Sequence, residues 1–138
     1  MIIEINTQSI KPIYEQLRDQ IVLGIASKQF MPGESLPSVR RLAADLGINL
    51  HTANKAYTTL CDEGYIKMDR RKGAIIADDV SDDKYFLINL THKLELSAAE
   101  ARCKKIDEHE FIELCRACYQ NTGEYSLLTG KNSETLKQ

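Results

Sequence analysis

Two short helical segments on either side of a glycine turn constrain this chain more than any other feature of its sequence. Leu36-Pro37-Ser38 gives a proline turn and then a serine suited to cap a helix starting at Val39, because a serine hydroxyl accepts from an otherwise unpaired first-turn amide. Val39, Leu42, Ala43 and Leu46 share one side of that helix, and Gly47, which tolerates the left-handed conformation, stops it after barely two turns. Asn49 then caps a longer helix running to about Glu63, with Ala53, Ala56, Tyr57 and Leu60 inward and Gly64 as its stop. Two such helices across a tight glycine turn make a helix-turn-helix candidate.

The flanks extend this unit. Upstream, Pro12 suits a first helical turn, and Ile13, Leu17, Ile21 and Ile25 recur at i, i+4 spacing through Ser27 as the core face of an amphipathic helix. The opening Ile2-Ile3-Glu4-Ile5 reads as an edge strand or an ordered arm. Downstream, strand-like residues 65–69 and 74–77 bracket Arg70-Arg71-Lys72-Gly73, a hairpin with a basic tip, hence a wing. Acidic residues 78–83 form a joint, with a module boundary near Asp79.

Two further helices follow, over about 83–105 with Tyr85, Phe86, Ile88, Leu90, Leu94 and Ala98, and about 108–120 with Phe111, Ile112, Leu114, Cys115 and Cys118. Two helices of this size cannot close a core by themselves, so they pack on the front module, on another copy, or on both. Residues 121–138 have few apolar anchors and read as a mobile tail. The expected fold is mainly α with a small β-wing. A winged helix-turn-helix occupies 1–78 and a short two-helix dimerisation segment 79–120.

Composition narrows the function. In 138 residues there is no room for a second large domain, and no stretch approaches the roughly 18 to 20 apolar residues of a membrane span. With no secretory leader at Met1, the expected setting is cytoplasmic, with Cys61, Cys103, Cys115 and Cys118 as reduced thiols. A net charge of −2 argues against coating nucleic acid by bulk charge. Its distribution says more: residues 1–77 carry ten basic against eight acidic groups, whereas 78–138 carry eight against twelve. A mildly basic front half hints at nucleic-acid contact there. No Gly-rich phosphate loop, carboxylate pair or Ser/His/Asp set points to catalysis, and no cofactor or metal is expected.

The run Pro32-Gly33-Glu34-Ser35-Leu36-Pro37-Ser38-Val39-Arg40-Arg41-Leu42-Ala43-Ala44-Asp45-Leu46-Gly47, followed by Asn49-Leu50-His51-Thr52-Ala53-Asn54-Lys55-Ala56-Tyr57, Leu60 and Gly64-Tyr65-Ile66, resembles the signature of the GntR superfamily of bacterial regulators over about residues 10–77. The resemblance implies a winged helix-turn-helix that touches operator DNA through Ser38, Arg40, Asn49, Leu50, His51, Thr52, Asn54, Lys55 and the wing residues Arg70, Arg71, Lys72 and Gly73. The short back half resembles the YtrA-type branch, which implies a homodimer joined through Phe86, Leu90, Leu94, Phe111 and Leu114. It further implies repression at a palindromic operator, and the sequence names no small-molecule effector. Arg71 replaces a common wing glycine, and Ala74-Ile75-Ile76 a Thr-Phe-Val-like run.

Chemistry agrees with that assignment. Asn49, His51, Thr52, Asn54 and Lys55 are polar or donor side chains opposite the apolar face of their helix, as reading base edges in a major groove requires. Arg40, near the start of the preceding helix, suits phosphate, while Arg41 reads as a surface ion-pair partner. Cys115 and Cys118 share a helical face; core or interface packing is the plainer role, and a thiol- or metal-responsive site the alternative. An interaction adaptor without DNA affinity is the remaining alternative.

Overall fold

The computed structural model describes residues 3–78 and 84–121. Five helices, α1 (Ile13–Ala26), α2 (Val39–Leu46), α3 (Leu50–Asp62), α4 (Lys84–Cys103) and α5 (Glu108–Gln120), accompany strands β1 (Ile66–Asp69) and β2 (Gly73–Ile76). The chain divides into two compact units, Met1–Val80 and Ser81–Gln138. The acidic joint at 79–83 and the tail beyond residue 121 lie outside the described residues.

In the first unit, α1, α2 and α3 close over Leu17, Ile21, Leu42, Ala56, Tyr57 and Leu60, with Ile66 and Ile76 of the hairpin completing the core. Phe30 packs back on α1: a Cβ added at Gly24 would stand 2.4 Å from its ring, so the glycine makes room for the aromatic. Residues 3–6 are an arm and not an edge strand, and the glutamines of α1 explain why. Gln20 Oε1 accepts from Glu4 N at 2.9 Å and Gln16 Oε1 from Asn6 N at 2.9 Å, while the two amide groups donate back to the Glu4 and Asn6 carbonyls. Two side-chain amides thus take the part of a neighbouring strand, and Ile3 and Ile5 pack on the core.

The hairpin is antiparallel, with Ile66 opposite Ile76 and Asp69 opposite Gly73, so Gly73 belongs to β2 rather than to the tip, and Tyr65 and Ala77 fall outside the strands. The other edge of β2 is also paired. Ile76 N donates to Glu34 O at 2.9 Å, Gly33 N to Ile76 O at 2.9 Å and Leu36 N to Ala74 O at 2.8 Å, so residues 33–36 line that edge through an isolated bridge between Ser35 and Ile75.

In the second unit α4 ends at Cys103, where Lys105 takes φ 63° and Ile106 N returns to Ala101 O at 2.9 Å. Asp107 then caps α5, its Oδ1 accepting from Glu110 N at 2.8 Å. The helices meet at this elbow, where Ala101 is buried and Phe111 half-buried, while Phe86, Leu90, Leu94, Ile112 and Leu114 stay exposed. Cys115 and Cys118 are exposed as well, so of the two packing roles expected for them, core or interface, the core of this unit is not the one they take. α5 buries too little against α4 to cover its own apolar stripe. Among the described residues no group of three or more His, Cys, Asp or Glu could hold a metal, and no helix is long and apolar enough to cross a membrane.

Candidate nucleic-acid interface

Local chemistry fixes the two helices. Ser38 Oγ accepts from Arg41 N at 3.1 Å at the start of α2; Gly47, at φ 66°, ends it, and Ile48 N returns to Ala43 O at 3.0 Å. Asn49 Oδ1 accepts from His51 N at 2.7 Å at the start of α3. The Tyr57 hydroxyl, nearly inaccessible to solvent, donates to Pro37 O at 2.7 Å, so α3 grips the turn that launches α2. Burial pushes the Tyr57 phenol up to about 12, because ionising it there would strip a charge of water.

At the far end of α3, Arg18 of α1 forms a two-pronged pair with Glu63, Nε lying 3.3 Å from Oε1 and Nη2 against Oε2, with the guanidinium 5.4 Å from the Tyr65 ring centre. The Glu63 carboxylate raises the Arg18 guanidinium above its ordinary range, more than partial burial lowers it. α1 and α3 are therefore held together beyond their apolar contact.

Opposite the buried Ala53, Ala56, Tyr57 and Leu60, α3 exposes His51, Asn54, Lys55 and Thr58, with Leu50 at its tip and Thr52 half-buried. Thr58 escaped notice in the sequence; its i+7 spacing from His51 was the signal. Two expected contacts already have structural work. Ser38 and Asn49 spend side-chain oxygens as caps, leaving the hydroxyl hydrogen and the amide N–H groups for a partner. Arg40 is exposed on the first turn of α2 and, among the described residues, pairs with no carboxylate, whereas Arg41 Nε lies 3.8 Å from Asp45 Oδ2. Lys55 Nζ sits 4.1 Å from the Tyr14 ring centre, a neighbour on α1 that no local pattern could reveal.

The wing tip is a three-residue turn, Arg70 to Lys72, all exposed. Asp69 Oδ1 accepts from Arg71 N at 2.8 Å and Lys72 N at 3.0 Å, and these amides hold its carboxyl below the usual range. Gly73 supplies the left-handed residue at φ 73°, so Arg71 in place of a glycine carries no positive-φ strain. At the base, Lys67 Nζ pairs with Asp78 at 2.9 Å, lowering the Asp78 carboxyl. The tip thus carries three cations close to the one carboxylate that shapes it.

A short capped helix, a glycine turn, a second helix with a bare polar face, and a basic hairpin define a winged helix-turn-helix. The chain belongs to the GntR family, in its YtrA-type branch: the model for bacterial regulatory proteins of the gntR family matches residues 11–76. It is 33% identical over 101 residues, 73% of the chain, to YhcF of Bacillus subtilis, an HTH-type transcriptional regulator, and spans 80% of that protein. It is 39% identical over 77 residues, 56% of the chain, to the HTH-type transcriptional repressor YtrA of Bacillus subtilis, of which it spans 59%. A transcriptional antiterminator from Listeria monocytogenes EGD-e has a similar structure, with TM-score 0.78 and 27% identity over 84% of this chain and 88% of that one.

Proposed function

We propose that the chain is a cytoplasmic, homodimeric transcription repressor that reads a palindromic operator with α3 and grips flanking phosphates with Arg40 and the wing. The observation that carries this reading is the exposed His51, Asn54 and Thr58 face on a helix fixed at both ends, with Lys55 on its flank and Arg40 bare beside it. Donors must be held rigidly to discriminate base edges, and unpaired cations meet phosphate without first breaking an ion pair. Repression is favoured by the likeness to YtrA. The half-exposed apolar side chains Phe86, Leu94 and Leu114 support dimerisation through 84–120, since a surface of that kind calls for a cover.

Selection of bound sequences from random duplex DNA tests this. Two inverted half-sites with centres about 10 bp apart are expected, one for each copy's recognition helix. Recovery of unrelated sequences, or of a single asymmetric site, would overturn it.

A further inference from the structure

Lys55 is the single lysine or arginine of α3, and its setting differs from that of the other cations near the helix. Among the described residues no carboxylate pairs with it; its ammonium lies 4.1 Å from the ring centre of Tyr14 on α1. The ring is itself held. Tyr14 is half-buried against the core, and its hydroxyl donates to Glu15 Oε1 at 3.2 Å. A lysine stem has four rotatable bonds, and an exposed one ordinarily samples many rotamers, a freedom lost on binding. Against a fixed aromatic face that freedom is given up in advance, and the remaining N–H donors stay open to solvent.

Position decides what those donors can meet. The base-facing groups His51 and Asn54 project from the free face of α3, whereas Lys55 is drawn sideways to α1. A helix in a major groove has base edges beneath it and phosphates along its flanks. An ammonium held against the neighbouring helix is therefore on the flank.

Building on the operator reading, we infer that Tyr14 is a positioning residue whose ring holds Lys55 against a backbone phosphate, so that Lys55 fixes the register of α3 and reads no base. A mere clamp between α1 and α3 is the competing role, and Arg18 with Glu63 already supplies one. A clamp would alter stability and leave the salt dependence of binding untouched.

The test uses the full chain with its selected operator and a scrambled duplex of the same length, titrated at several salt concentrations. Lys55→Met should weaken both duplexes alike and flatten the plot of log affinity against log salt by about 0.9, the mark of one lost phosphate contact. Tyr14→Leu should weaken both about two- to fivefold, as loss of an exposed cation–π contact does. Tyr14→Phe, which keeps the ring, should bind as the wild type does, and Tyr14→Leu should add nothing in the Lys55→Met background. Additive losses, an unchanged slope in Lys55→Met, or a Tyr14→Phe defect as large as that of Tyr14→Leu would overturn the inference. If Tyr14→Leu does not fold, Lys55→Arg and Lys55→Met decide: retention of the slope by arginine alone supports a phosphate contact, and retention by both overturns it. A wild-type protein that binds no duplex would bring down the operator reading itself, whereas additive losses in a protein that binds normally overturn this inference alone.

Discussion

At the scale of single residues, the side chains proposed to face DNA divide by what they are free to do. His51 and Asn54 stand exposed on α3, while Arg70 and Lys72 stand on a turn whose backbone is tied to Asp69. Base contacts specify and phosphate contacts position, so the two groups should fail differently. His51→Ala or Asn54→Ala should change the bases preferred in the half-site, at a loss of about 1 to 3 kcal/mol where a good base contact disappears. Arg70→Ala or Lys72→Ala should weaken operator and scrambled duplexes together and lower the salt slope by about 0.9 each. Parallel titrations on both duplexes decide it; equal losses on both for His51→Ala and Asn54→Ala would mean that another face of α3 enters the groove. The exposed polar face of α3 was legible because polarity and i, i+3, i+4 spacing are local facts. Tyr14 was not, because its part depends on where α1 lies against α3.

At the scale of elements, the sequence was most readable where a boundary is set by its own residue. Ser38, Gly47 and Asn49 place α2 and α3 because a cap or a left-handed φ is a property of one position. The pairing of residues 33–36 with β2 stayed hidden, since partners far along the chain create it, and for the same reason the sequence left residues 3–6 open between an arm and an edge strand. The bond from the Tyr57 hydroxyl to Pro37 O is of the same non-local kind, and it has a consequence for pH. The folded protein holds the phenolic proton more tightly than the unfolded chain, where tyrosine titrates near 10. The stabilisation is therefore fully present below pH 10 and is lost as pH rises through about 12. Tyr57→Phe should cost about 1 kcal/mol near neutral pH, the worth of one buried hydrogen bond. Its disadvantage should then shrink above pH 10, because wild type alone loses up to about 1.4 kcal/mol per pH unit from this group. Urea midpoints for the two proteins from about pH 9 to 12 measure the gap, and a constant gap would exclude Tyr57 as its source.

At the scale of the whole molecule, each unit stands differently toward its own core. The first unit buries a core of apolar side chains of its own, from Leu17 and Ile21 through Leu60 to Ile76. In the second unit Ala101 is the one buried apolar residue among those described, and the cysteines at 115 and 118 lie open beside Leu114. The sequence made half of this visible: a stripe too apolar for a solvated surface, with nothing in the pattern to say whether the chain's own core would take it. On the proposed reading a second copy covers what α4 and α5 leave bare, which makes self-association separable from folding. A chain cut to residues 1–80, the limits of the first unit, should unfold cooperatively with its core intact and sediment as a monomer. Its operator affinity should drop to that of a single half-site, because two linked recognition helices raise each other's effective concentration and one alone cannot. Sedimentation of the full and shortened chains at matched concentration tests the assignment, and a shortened chain that remains fully dimeric would move the interface into the first unit.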